Sequence, residues 1–160
     1  NRLILSAARE YGTEMGTTLS LLAVCGEEGL IIHVGDSRIY RVCRGFLGFT
    51  EKAEQLTQDD SAQVIRQDRN GTPYYKEVLT ACLGMRETVA PHILQVDIKR
   101  GNRFILCSDG LYKKNPGIAA FKQLVFRVSE RDSGYCEQTV RAVRQQGETD
   151  DITMVYMGVD

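Results

Sequence analysis

The residues best suited to chemistry in this sequence are aspartates at the ends of short apolar runs. Asp36 follows one run, Asp109 follows another, and Asp150 and Asp151 precede a third. Runs of this length bounded by glycine, serine or acids are typical of buried strands that enter tight turns. Each carboxylate is therefore expected at a strand end, where rigid backbone holds it.

These aspartates allow two interpretations. If the strand ends meet at one rim, the carboxylates converge, and a hard divalent cation such as Mg²⁺ or Mn²⁺ offsets their repulsion. Two such ions lower the pKa of a water and bind a phosphoryl oxygen. Alternatively, each aspartate hydrogen-bonds its own turn and serves structure alone. Spacing by itself does not separate these cases, but the lack of a His/Cys cluster disfavours zinc.

Other nucleophiles and bases have weak sequence support. Cys107 lies two residues before Asp109, but it belongs to an apolar strand without a basic neighbour, so a thiolate there would be unsupported. His33 and His92 are the two histidines, and both fall in strand patterns, which favours structural roles. The sequence therefore predicts no catalytic side chain beyond metal ligands.

Composition narrows the class of protein. The 160 residues are 42% hydrophobic with a formal net charge of -1, which indicates one domain over residues 1–160. The sequence has no basic stripe that would suggest nucleic-acid binding, and it has no apolar run long enough to cross a membrane. The 5 cysteines lack a C-x-x-C pair and are expected to be free thiols in a reducing compartment. These features favour a cytoplasmic protein.

The chain order of the elements predicts an α+β fold. Strand patterns dominate the first part and helical patterns the later part, an arrangement typical of helices stacked on mainly antiparallel sheets. We expect helices over 3–11, 62–67, 118–128 and 135–146, the second capped by Ser61, and an exposed loop over 68–75. We expect strands over 17–24, 30–34, 38–42, 46–49, 92–98, 104–107 and 152–159.

Six short motifs then carry a resemblance to a known family. In chain order they are Gly16-Thr17-Thr18, the stretch from His33 to Arg38, the stretch from Leu56 to Ser61, the stretch from Leu79 to Gly84, the stretch from Leu106 to Leu111, and Asp150 to Thr153. Together they resemble the metal-dependent serine/threonine phosphatases of the PP2C (PPM) family, bacterial type. The resemblance implies an α-β-β-α sandwich of two antiparallel sheets flanked by helices, with two Mn²⁺ or Mg²⁺ ions at one end.

The resemblance also implies roles for particular residues. Asp109 and Asp150 match metal-ligating aspartates, and Asp36 matches an aspartate that in some members helps to hold a third, weaker metal. Asp60 stands where histidine is frequent in the family and receives no role. The segment 67–78 falls where bacterial members carry a flap beside the active site, but its substrate contacts are unknown.

The opening segments of the family pattern are not found in this sequence. Nothing before Gly16 matches the family's opening segments, which supply a phosphate-binding arginine and the aspartate that bridges two metals. We therefore expect an N-terminally truncated phosphatase domain, weakly active or inactive alone. The alternative is a truncated or degenerate domain that acts as a non-catalytic regulatory or binding module.

The implied reaction and partners follow from the same resemblance. The intact enzyme would hydrolyse phosphoserine and phosphothreonine in proteins through a metal-activated water, with a phosphorylated protein as substrate and a Ser/Thr protein kinase as counterpart. Truncation would expose sheet edges, and these predict dimerisation of the fragment through an open edge.

Overall fold

A computed structural model describes residues 1–44, 51–129 and 133–159. The helices are α1 (Arg2–Tyr11), α2 (Asp109–Tyr112), α3 (Ile118–Phe126) and α4 (Tyr135–Gln145). The strands are β1 (Leu19–Cys25), β2 (Glu28–Val34), β3 (Arg38–Arg44), β4 (Glu51–Gln55), β5 (Ser61–Gln67), β6 (Pro73–Leu79), β7 (His92–Asp97), β8 (Arg103–Cys107) and β9 (Met154–Gly158). The strand expected over 46–49 lies outside the described residues.

The strands form antiparallel sheets, as the sequence predicts. The first sheet has the order β1-β2-β7, and the second has the order β4-β3-β8-β9. The strands β5 and β6 form a separate two-stranded hairpin. In the second sheet β8 is a central strand, so the residue that follows it is held by neighbours on both sides.

The main core lies between the second sheet and the later helices. Alternating residues of β3 and β8 face these helices, among them Tyr40 and Ile105, which are opposite each other in the ladder. The Tyr40 ring stacks on Phe121 of α3 at 3.7 Å between centroids. Burying one such aromatic side chain contributes about 1.5–3 kcal/mol to folding. This core fixes β8, and therefore the start of α2.

The other face of the second sheet is also covered. Ile39 and Phe104 point away from the helices by strand alternation, and both are fully buried. Ile31 and His33 of β2 are likewise buried on the first sheet. Burial on both faces is what two sheets packed against each other require. The observed layers agree with the predicted α+β sandwich.

The expected helix over 62–67 is wrong, because residues 61–67 form the strand β5. The expected loop over 68–75 is wrong in part, since β6 begins at Pro73. The cause is the turn between these strands, where the Asp68 carboxylate accepts hydrogen bonds from the Asn70 and Thr72 amides at 2.8 Å each. Gly71 has φ +80°, which closes the hairpin and selects pairing over a short helix.

Within the part of the chain that the structure describes, no helix combines the length and the apolar character required for a membrane span.

Candidate metal-binding rim

Asp109 and Asp150 lie side by side at one end of the second sheet. Asp109 is the first residue of α2, directly after β8, and Asp150 lies shortly before β9. These strands are antiparallel neighbours, so the end of one meets the start of the other. Ser108 holds the two segments together, because its amide donates to the Thr153 carbonyl at 3.1 Å and its hydroxyl accepts from the Thr153 amide at 2.9 Å.

The carboxylates of Asp109 and Asp150 contact the same ammonium group. Lys113 Nζ lies 2.6 Å from Asp109 Oδ2 and 2.6 Å from Asp150 Oδ2. The hydrogen bonds to Asp109 and Asp150 raise the pKa of Lys113 above its ordinary value. The hydrogen bond from Lys113 in turn lowers the pKa of Asp150. Two carboxylates therefore already share one cation at this rim.

Asp36 lies in the turn between β2 and β3 and faces the same region. Its side chain is half-buried, and this burial, followed by the negative charge of Asp109, raises the pKa of Asp36. Tyr112 fixes the backbone here, since its hydroxyl donates to the Asp36 carbonyl at 2.7 Å. Asp109 thus interacts electrostatically with Asp36 on one side and shares the Lys113 ammonium with Asp150 on the other.

The Asp36 turn depends on a glycine. Gly35 has φ +109°, and a Cβ added there would lie 2.4 Å from Thr18 Cγ2. The Asp60 carboxylate caps this turn by accepting from the Gly35 amide at 2.9 Å and lies 2.8 Å from His92 Nε2. Burial would raise the pKa of Asp60, but the Gly35 amide and the His92 ring outweigh it and lower that pKa. Asp60, which has no role in the sequence analysis, therefore positions the turn.

Arg38 anchors the other side of the same turn. Its guanidinium binds Asp59 through Nε and Nη2, with the shortest contact at 2.6 Å. It also donates to the Tyr40 hydroxyl at 2.9 Å and lies 3.5 Å above the Tyr112 ring. Both charged side chains are mostly buried, so this pair can be broken only at a large cost in stability.

The Asp150 segment is held by a residue that sequence reasoning missed. The Glu148 carboxylate accepts hydrogen bonds from the amides of Thr149 and Asp150 at 2.9 Å each. The bond from the Asp150 amide is the main reason that the pKa of Glu148 is lowered. Arg144 extends this support by donating to the Glu148 carbonyl at 3.0 Å. The loop that presents Asp150 is therefore fixed from α4.

Gly110 permits the close approach of α2 to the Asp150 segment. A Cβ at this position would lie 2.4 Å from the Asp151 carbonyl oxygen. Any side chain there would force the segments apart, which explains why glycine follows Asp109.

The oxygen donors fit a hard divalent cation in kind, and the Lys113 ammonium marks a position where both carboxylates reach one positive charge. In the described ranges, however, no three Asp, Glu, His or Cys side chains are grouped so as to hold a metal ion. Asp109 and Asp150 are brought together by Lys113, while Asp36 is near enough to Asp109 for their charges to interact but does not share the Lys113 contact.

Cys107 and His33, the other candidate nucleophile and base, lie in environments that do not suit catalysis. Burial raises the pKa of the Cys107 thiol to about 12. His33 is fully buried, with its ring nitrogens 2.9 Å from the Ser20 hydroxyl and 2.9 Å from the Gly35 carbonyl. Because the carbonyl accepts, the Nε2 of His33 donates to it. These partners use both ring nitrogens within the fold.

Comparison with known proteins identifies the family of this chain. Residues 49–160 match the family described as Stage II sporulation protein E (SpoIIE). The chain belongs to the SpoIIE/PP2C family. The predicted resemblance to PP2C phosphatases is therefore confirmed.

Relatives of this SpoIIE/PP2C chain are longer than the chain itself. It is 28% identical over 154 residues to the protein phosphatase PhpP of Streptococcus pneumoniae serotype 2, covering 91% of this chain and 59% of PhpP. The chain thus spans about three fifths of that relative.

Solved structures support the fold of the SpoIIE/PP2C chain. The S. agalactiae serine/threonine phosphatase has a TM-score of 0.78 at 21% identity, covering 99% of this chain and 66% of that one. The catalytic domain of the phosphatase PstP, in complex with 2 manganese ions, has a TM-score of 0.68 at 24% identity, covering 99% and 66%. The predicted fold class is confirmed.

The residue that sequence reasoning missed most plainly is Lys113. It lies four positions after Asp109, the spacing at which helical side chains meet, so an i,i+4 search along α2 would have found that contact. Its second partner, Asp150, is 37 residues later and needs the β8–β9 pairing. No local signal in the sequence gives that contact.

Proposed function

We propose that this chain is part of a metal-dependent phosphatase that hydrolyses phosphoserine and phosphothreonine in proteins. The observation that carries the proposal is the pairing of Asp109 and Asp150 on one cation at the rim of a SpoIIE/PP2C fold. The manganese ions of the PstP structure and the names of the relatives agree with it.

Asp109 and Asp150 would hold the divalent cation, Mn²⁺ or Mg²⁺, and two such ions are proposed for the whole enzyme. The ion supplies acidification of water and neutralisation of phosphoryl oxygens. Asp36 faces the same rim and is proposed to contribute to a third, weaker site. The pKa of its half-buried carboxyl is raised by burial and by the charge of Asp109, and a cation bound nearby would favour the ionised form.

Other residues around the rim hold these ligands in position. Tyr112 and Arg38 fix the Asp36 turn, and Glu148 fixes the Asp150 segment. None of them needs to exchange a proton with substrate. Positioning and charge neutralisation are what phosphoryl transfer chiefly demands of a protein.

The test is Mn²⁺-dependent hydrolysis of p-nitrophenyl phosphate by the full-length gene product that contains these residues. We expect activity that EDTA abolishes, and we expect Asp109→Asn to lose metal and activity together while its unfolding transition is kept. Asp97→Asn is the matched control, because Asp97 is an exposed carboxylate on β7. A full-length protein that is inert with both Mn²⁺ and Mg²⁺ would favour a non-catalytic binding module.

Partners and location are proposed on the same basis. A phosphorylated protein would be the substrate, and a Ser/Thr protein kinase must supply it. All 5 cysteines are free, which supports a reducing, cytoplasmic setting.

We also propose that the 160-residue chain dimerises through the edge of the first sheet. In the described residues β1 has only β2 as a ladder partner, and Leu19 and Leu21 on β1 are exposed. An exposed apolar edge strand favours pairing with another chain. Sedimentation that shows only monomers at high concentration would overturn this proposal.

A further inference from the structure

Lys113 lies where a metal ion at this rim would have to bind. Its Nζ is 2.6 Å from an oxygen of each of Asp109 and Asp150, which are 41 positions apart in the chain. A divalent cation held by the same two oxygens would lie at about 2.0–2.6 Å from each. The ammonium and the metal ion would therefore occupy overlapping space.

The Lys113 ammonium bridges the carboxylates of Asp109 and Asp150. Both contacts are short, and the single positive charge of the ammonium offsets part of the repulsion between the two neighbouring carboxylates. Lys113 reaches Asp109 from one helical turn away and Asp150 from the adjacent segment, which Glu148 and Ser108 hold in place. The backbone segments that carry the two carboxylates are therefore held in place, while the Lys113 side chain has the long, flexible stem.

The ammonium is also free to leave. The Lys113 side chain is 43% exposed, so it can turn toward solvent without exposing a core. A compact ammonium on a four-carbon stem is strongly hydrated, which lowers the cost of that movement. Lys113 would then compete with a metal ion but would not exclude it.

We propose that Lys113 is a built-in cation that occupies the Asp109–Asp150 pair without metal and weakens divalent-cation binding there by competition. This inference rests on the proposed metal site. It makes the metal affinity of this rim depend on one lysine, and it predicts that the two carboxylates keep one compensating positive charge when metal is scarce.

The test is Mn²⁺ titration of the full-length gene product that contains these residues, with free Mn²⁺ measured by electron paramagnetic resonance. Lys113→Gln is expected to bind Mn²⁺ at least about tenfold more tightly than the native chain, since one positive charge near the ion is removed. Lys113→Arg keeps the charge and is expected to stay weak. Lys114→Gln is the matched control, because it removes the neighbouring charge from an exposed lysine.

Thermal unfolding in EDTA gives a second readout. Lys113→Gln is expected to melt below the native chain without metal, because two carboxylates lose their shared cation, and to regain the difference when Mn²⁺ is added. A melting temperature in EDTA equal to that of Lys114→Gln would overturn the proposal.

The possible outcomes distinguish the competition by Lys113 from the metal site on which it depends. Equal Mn²⁺ affinity in the native chain and Lys113→Gln would overturn the role of Lys113 while leaving the metal site in place. Binding by neither protein would overturn both the competition and the proposed metal site. Binding by Lys113→Gln alone would support both.

Discussion

At the scale of single residues, the rim is built from charges that are fixed by hydrogen bonds before any cation binds. Asp60 shows this most clearly, because its carboxylate caps the Gly35 amide and contacts His92. The sequence offers an aspartate at this position without indicating its partners. Those partners come from the turn between β2 and β3 and from β7, which are far from Asp60 in the chain.

Asp60→Asn is expected to reduce stability by about 1 kcal/mol at pH 6–7, and the reduction should vanish in acid. The pKa of Asp60 is lowered in the folded chain, whereas in the unfolded chain it is about 3.9. As the pH falls, the unfolded chain takes up the proton first, so the stability from the ionised carboxylate is complete above that value and lost below it.

Urea unfolding of both proteins at several pH values down to about 3 checks this prediction. The exposed Asp97→Asn serves as the control and should follow the native chain. A difference between native chain and Asp60→Asn that stays constant into acid would contradict the role given to the charge.

Arg38 and Arg41 are three positions apart on β3 and allow a matched comparison. Arg38→Met leaves the mostly buried Asp59 without its guanidinium and should cost about 3–5 kcal/mol. Arg41→Met breaks a more exposed pair with Glu54 and should cost less than about 1 kcal/mol. Denaturant unfolding measures both costs, and similar values for the two variants would refute the assignment of Arg38 as the anchor of the turn.

At the scale of elements, the rim depends on how closely α2 approaches the segment before β9. That approach is set by Gly110, because a Cβ would collide with the Asp151 carbonyl. The motif containing Gly110 is visible in the sequence, but the contact that requires glycine appears only once β8 and β9 are paired.

Gly110→Ala is therefore expected to separate Asp109 from Asp150, to lower stability by about 1–3 kcal/mol and to weaken Mn²⁺ binding. Gly117→Ala is the control, since a Cβ there meets nothing within 4 Å. It should cost less than about 1 kcal/mol. Thermal unfolding and Mn²⁺ titration check both effects, and native Mn²⁺ affinity in Gly110→Ala would show that the approach is unimportant.

The elements also show where sequence reasoning succeeds and fails. The strands β7 and β8 and the helices α3 and α4 were predicted because their apolar residues recur at clear strand or helix spacing. The helix predicted over 62–67 rests on Ser61 as a possible cap, but these residues belong to the strand β5. Its state is decided by pairing with β6 across the Asp68 turn, which is not a local property.

At the scale of the whole molecule, residues far apart in the chain are brought to one rim by sheet topology. The family motifs predicted that the strand-end aspartates converge, and the structure places Asp109 and Asp150 on the same ammonium. The lysine itself was not predicted, because contact with both carboxylates needs the β8–β9 pairing in addition to the helical spacing. From the sequence it is therefore easier to predict which carboxylates lie together at the rim than which side chain supplies their cation.

Asp109 and Asp150 are proposed to hold one divalent cation together. The most direct measurement is a Mn²⁺ titration of the chain, Asp109→Asn, Asp150→Asn and the double variant, with free Mn²⁺ followed by electron paramagnetic resonance. A shared site predicts that each single variant loses at least about tenfold in affinity and that the double variant loses little more than either. Native affinity in both single variants, or no Mn²⁺ binding by the chain at all, would contradict the account.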